Sequence, residues 1–299
     1  MPFWKGLGWA GRSDAMGDLL ILLSAVLFGF SPILIKVAYS YGVTPLTVLA
    51  LRYAIAAILF WGGVAVLGVR FSFPRHAILA PVVMGVTLVP LQIFSFLLAL
   101  AYLPASSASV LAYVYPLHVA WMGWVFLRER IRWDEVALLI VVVTGAMLVA
   151  GQTPVIGARP GLVAISVATL TNALYYIAAR RMLRDLLPFP VQGILLAAGA
   201  AVFVSAGALT GRFSLALPLP ALLAIFGTAV LGSLLAPLLL LGGLRVLPAA
   251  RAAMLGTVEP VVTVLLSILW LGDRVSFVRA VGMALVLVGI GLAHVRRPL

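Results

Sequence analysis

Apolar runs of about twenty residues follow one another along most of the chain, separated by short clusters of turn-forming and basic residues. The longest, residues 76–127, holds 52 positions without Asp, Glu, Lys or Arg and divides into two at "YLPAS" (102–106). A membrane-crossing helix needs about 20 mostly apolar residues. That rule predicts ten spans, near 18–39, 46–69, 77–101, 105–127, 134–151, 161–183, 190–210, 220–244, 249–271 and 276–295. Turn signals fall between them at "YGVTP" (41–45), "GQTPVIGARP" (151–160), "LPFP" (187–190), "LPLP" (217–220) and "LPA" (247–249). Lipid offers backbone amides and carbonyls no partner, so these runs must be helical. The alternating ten-residue strands of a barrel are not visible.

Composition supports the same reading. Of 299 residues, 64% are hydrophobic and 9% charged, with a mean hydropathy of +1.22. A soluble domain is about half apolar and roughly a quarter charged, so part of this chain's solvent must be lipid. The expected class is an all-α polytopic membrane protein. The first 17 residues lack an uninterrupted apolar core and a small-residue cleavage site, so no signal peptide is expected.

The net charge of +12 invites a nucleic-acid reading, but the placement of the basic residues explains it otherwise. With the N-terminus inside, fourteen of the 20 Lys and Arg fall on inner segments and four on outer ones, while Lys36 and Arg52 lie within spans. This bias orients the chain with both termini cytoplasmic, in a bacterial-type inner membrane, and no nucleic-acid partner is needed. Lys36 and Arg52 stand near the outer ends of their spans, where snorkelling to the interface is expected.

The two halves align without a gap at an offset of 144 residues. "LPASSASVLAYVYPLHVAWMGWVFLRER" (103–130) lies over "LPAARAAMLGTVEPVVTVLLSILWLGDR" (247–274), matching Pro104 to Pro248, Pro116 to Pro260, Glu129 to Asp273 and Arg130 to Arg274. Two five-span repeats are expected, 17–151 and 161–295. An odd number of spans makes the second repeat enter from the opposite side. Inverted-topology repeats recur in secondary transporters, whose substrate sites lie near the bilayer midplane.

The duplicated pattern, Pro116 to "FLRER" and Pro260 to "WLGDR", resembles the EamA-type repeat of the drug/metabolite transporter superfamily. The stretch "FGFSPILIKVAYSYGVTPLTVLALRYAIA" (28–56) is similar in particular to the YddG-type amino-acid exporters of that superfamily. The resemblance implies ten helices around a central cavity, formed mainly by spans 1, 3, 4, 6, 8 and 9, and export of small metabolites such as amino acids. Asp273 departs from the Glu usual at its position, keeping the charge but shortening the reach.

Glu259 is the one charge between Arg251 and Asp273, near the centre of its span. A mid-bilayer charge costs about 2.5–3.5 kcal/mol on insertion scales, so it should face a cavity or a cation. It is the candidate for pairing a substrate ammonium or carrying a coupled proton; hydrogen bonding to a neighbouring helix is the competing reading. Pro260 beside it offers no N–H to the carbonyl of Gly256 and predicts a kink, as Pro116 does in the first repeat. Tyr115 occupies the place of Glu259 in that repeat, with Tyr113 and His118 nearby. Polar positions at helical spacing add Phe28 and Ser31 with Ser24, Gln92 with Ser95, and Asn172 and Tyr176 with Ser166 and Thr169. Thr257, Thr263 and Ser267 flank Glu259. Together they suggest a polar and aromatic substrate site, although each singly could serve interhelical packing.

No GxxxxGK[ST], HExxH or GxSxG occurs, and His76, His118 and His294 are too scattered for a metal site, so neither cofactor nor metal is expected. A channel or an intramembrane enzyme is the alternative of a different class. The leading expectation is a non-enzymatic carrier of a small-molecule substrate, neutral or aromatic amino acids first, working by alternating access. The charge bias is checked by C-terminal fusions: green fluorescent protein there should fluoresce, and alkaline phosphatase there should be inactive.

Overall fold

The computed structural model describes residues 14–69, 77–103, 105–129, 132–150, 159–211, 213–214, 216–271 and 276–295, and every regular element among them is helical. Pro104, Arg130, Asp273, Arg274 and His76 lie outside the described residues, as does the side chain of His294.

The helices are α1 (Asp14–Ser40), α2 (Pro45–Val66), α3 (Leu79–Val86), α4 (Leu88–Tyr102), α5 (Ala105–Ala112), α6 (Tyr115–Leu127) and α7 (Trp133–Ala150). They continue with α8 (Arg159–Met182), α9 (Pro188–Thr210), α10 (Leu219–Gly227), a π-helical segment (Thr228–Leu235), α11 (Ala236–Val246), α12 (Ala249–Gly256), α13 (Val258–Leu271) and α14 (Phe277–Val295). Taken through their interruptions, eight described helices are long and apolar enough to cross a bilayer. The two other expected spans correspond to α7 and α14, the latter with a shorter apolar run over Phe277–Leu292.

The interruptions follow from proline. Pro90, Pro116 and Pro260 cannot donate to the carbonyls of Val86, Ala112 and Gly256, and α3, α5 and α12 end on those residues. Each proline then sits in the first turn of the next helix, where a missing N–H costs nothing. Pro237 withholds its N–H from Ser233 in the same way, and there the chain widens into the π segment instead of breaking.

The chain forms two compact units, one of residues up to Pro90 with Met182–Leu247, the other of Leu91–Arg181 with the residues from Pro248 onward. In the first unit α1 packs on α10, the π segment and α11, while α2 packs on α9 and the π segment. Its apolar contacts join Ala56 and Phe60 to Leu196 and Ala229. In the second unit α7 packs on α14, α12 on α6, and α5 and α13 on α7. The α7–α14 contact is a backbone approach: a Cβ on Gly282 would stand 2.7 Å from the Gly145 carbonyl. Small residues at such crossings are the rule where lipid removes the hydrophobic drive between helices.

Within the second unit Glu129 ties three elements together. Arg128 takes a left-handed conformation (φ 55°) that closes α6 and turns the chain. The Glu129 carboxylate then accepts from the Ala249 amide at 3.0 and 3.1 Å, capping α12, and lies 3.6 Å from Arg180 Nε at the end of α8. An acceptor with negative charge is favoured at a helix N-terminus. Glu129→Ala leaves the α12 amide without its cap and Arg180 without this carboxylate. It is expected to cost roughly 1–3 kcal/mol, read as a lowered Tm in detergent.

Candidate functional site

Glu259 stands in the first turn of α13, directly after the break at Thr257. It is half-buried, and among the described residues its carboxylate accepts no hydrogen bond and meets no cation. It lies three residues after Gly256, where the hydroxyls of Tyr115 and Tyr176 approach the backbone.

The phenols of Tyr115 and Tyr176 come from a broken helix and from α8. Where α5 gives way to α6, Tyr115 donates its hydroxyl to the Ala253 carbonyl of α12 at 3.3 Å and interacts with the Tyr176 hydroxyl from α8. The Tyr115 and Tyr176 ring centroids are 5.7 Å apart and tilted by 39°. Gly256 makes room for this meeting: a Cβ there would lie 3.0 Å from the Tyr115 hydroxyl and 3.5 Å from that of Tyr176. A carboxylate one turn from such a pair of phenols is chemistry suited to an ammonium, which makes charge-assisted hydrogen bonds to the first and gains cation–π attraction from aromatic rings.

The other expected site residues separate into two groups. Many hydroxyls of the polar stripes bond carbonyls of their own helix: Ser166 to Leu162, Thr169 to Ser166, Thr257 to Met254, Thr263 to Glu259 and Ser267 to Val264. These need no cavity. Gln92 on α4 and Asn172 on α8 are half-buried and make no hydrogen bond among the described residues, and His118 on α6 keeps a buried Nδ1 unmatched. An amide or imidazole without a partner is unfavourable against lipid, which favours a polar environment for all three. The structure brings Tyr115 and Tyr176 together; Glu259, Gln92, Asn172 and His118 belong to the same unit.

Phe28 and Ser31 belong to the other unit, on α1, where Pro32 removes the donor for the Phe28 carbonyl. Ser31 opens onto a cluster that sequence reasoning misses. Arg52 donates Nε–H to the Ser233 hydroxyl at 2.7 Å and reaches the Gly232 carbonyl at 3.5 Å, rather than snorkelling toward the interface as expected. Its guanidinium also lies 5.6 Å from the Tyr53 ring centre. Gln192 donates to the Ser233 carbonyl at 2.7 Å, the acceptor that Pro237 leaves free. The signal in the sequence is Pro237, midway through an apolar run, with Gln192 as the only amide in the span before it. Lys36 is exposed.

A profile of the EamA-like transporter family matches twice, over residues 15–151 and 159–294. The uncharacterized transporter YcbK of Bacillus subtilis is 26% identical over 289 residues, covering 91% of this chain and 90% of its own. An uncharacterized transporter of Archaeoglobus fulgidus is 24% identical over 288 residues, covering 94% and 97%. A solved crystal structure superposes with a TM-score of 0.80 over 95% of this chain and 98% of that one, at 22% identity, a likeness of fold.

Gly256→Ala places a methyl against both phenols. It is expected to lower substrate affinity several-fold while leaving the protein folded, checked by transport kinetics alongside the Tm.

Proposed function

The chain belongs to the EamA-like transporter family, and from that premise we propose that it is a carrier exporting neutral or aromatic amino acids by alternating access. Its membrane-transporter character rests on the two family matches and on relatives named as transporters. The observation that carries the finer reading is Glu259: a half-buried carboxylate, unpaired among the described residues, at the break between α12 and α13, three residues after Gly256, where Tyr115 and Tyr176 meet. That arrangement suits an amine-bearing substrate, and the aromatic surroundings suit an apolar side chain. The likeness of residues 28–56 to YddG-type exporters supports amino acids over other small metabolites and drugs, which form the second reading.

Ten spans, with α7 and α14 as the two shorter ones, complete the proposed architecture. Five spans in each repeat make the repeats inverted and put both termini on one side, which the Lys and Arg bias assigns to the cytoplasm, with the carrier in the inner membrane. Two similar halves of opposed orientation can exchange conformations, giving inward- and outward-open states of comparable energy. The sequence features behind a channel or an intramembrane enzyme are weaker: no filter-like loop and no paired intramembrane acids accompany this duplication.

Proteoliposome counterflow tests the reading. Labelled phenylalanine or leucine should accumulate saturably when unlabelled substrate is inside; flux without trans-stimulation would instead indicate a channel. Glu259→Gln should lower transport at least about tenfold, as loss of a charge-assisted contact does, and flatten its dependence on pH. Wild-type rates and an unchanged pH profile in Glu259→Gln would assign the residue a structural role.

A further inference from the structure

The first unit holds a cation without a counter-charge among the described residues. Arg52 is half-buried on α2, and no carboxylate pairs with it there; the titratable groups that face it are the phenols of Tyr39 and Tyr53. Two of its five N–H donors are engaged, by Ser233 and Gly232, and the others have no protein partner among the described residues. A guanidinium removed from water without an anion is unfavourable, and an incoming anion resolves it.

Two deeply buried polar atoms beside it are unmatched as well. Ser31 is 7% exposed and Gln192 2% exposed, yet Ser31 Oγ and Gln192 Oε1 have no hydrogen-bond partner among the described residues. Ser31 Oγ packs directly against Gly232, and Arg52 Nη2 lies 3.7 Å from where a Cβ on Gly232 would stand. The missing side chain at 232 is what lets the hydroxyl and the guanidinium converge on one spot. Gln192 reaches the same residue of the π segment that Arg52 does, Ser233, and keeps its own oxygen free to accept.

We propose that Arg52 and Ser31, converging at Gly232, form an anion subsite that receives the carboxylate of a small organic acid, with Gln192 Oε1 available to an N–H or O–H of the same ligand. One fixed cation and one hydroxyl match the single charge and two oxygens of a carboxylate; a phosphate dianion would call for more positive charge than the cluster has. The naming of amino acids as the carboxylate's source rests on the transporter reading above. The subsite itself rests on the first unit alone.

The test uses the full-length protein in detergent, with thermal unfolding followed against 3-phenylpropionate, phenethylamine and inorganic sulfate at constant ionic strength, and in nanodiscs with or without phosphatidylglycerol. Saturable stabilisation by 3-phenylpropionate is expected, at least about tenfold weaker in Arg52→Gln and within a few-fold of wild type in Arg52→Lys, with the phenethylamine response unmoved by either. Ser31→Ala removes one neutral donor and should weaken binding by about three- to tenfold, providing the reading if Arg52→Gln does not fold. The subsite is overturned if no carboxylate stabilises the wild type, if Arg52→Gln and Ser31→Ala bind 3-phenylpropionate as wild type does, if sulfate stabilises more strongly than the carboxylate, or if only phosphatidylglycerol acts, which would make it a lipid-headgroup site. Counterflow separates the two readings: amino-acid exchange without carboxylate binding removes the subsite alone, and carboxylate binding without amino-acid exchange removes the substrate assignment alone.

Discussion

In hydrocarbon a backbone carbonyl has only the chain itself to bond, and this protein repeatedly withdraws the expected donor. Pro32, Pro90, Pro116, Pro237 and Pro260 each stand four residues after a carbonyl within a candidate span. Three helices end at the stranded carbonyl. At Ser233 the side-chain amide of Gln192 replaces the missing N–H. Both polar clusters are built next to such points: Tyr115 and Glu259 at the breaks marked by Pro116 and Pro260, Arg52 and Ser31 at the widened turn before Pro237. Polar side chains and open backbone occur together because each makes the other tolerable away from water.

Much of the fold is legible in the sequence because membrane helices announce themselves by length and hydropathy, signals that depend on no distant contact. The interruptions are half legible. Pro116 and Pro260 stand out through the 144-residue repeat, whereas Pro237 aligns with Ile93, so the comparison that exposes the others passes over it. Glu259 draws notice by charge alone. Arg52 is conspicuous too, but its position argues for the interface, since a long cationic side chain near a span end ordinarily reaches water. Its actual direction depends on Ser233, 181 residues away, and on the space left at Gly232. No local pattern encodes that.

The polar stripes teach a related lesson about hydroxyls. Ser and Thr in a helix can satisfy themselves on the preceding turn, as Ser166, Thr169 and Thr263 do. Gln, Asn, His and Glu are less able to do so, and Gln92, Asn172, His118 and Glu259 are the candidate site residues left with unmatched polar atoms among the described part of the second unit. In an apolar helix the informative polar residue is therefore the one too long or too charged to bond its own backbone.

The composition of the compact units bears on how the protein is made. Each unit joins an early stretch of chain to a late one, so α1 meets α10, the π segment and α11, and α7 meets α14, only once the later stretch has been synthesised. The first helices must enter the bilayer with Arg52 and Ser31 still unmet by the π segment. Insertion of the early helices thus precedes completion of each unit, whose contacts join residues far apart in the sequence. During this interval the nascent carrier depends on the lipid and on the insertion machinery to shelter polar groups that it will later shelter itself.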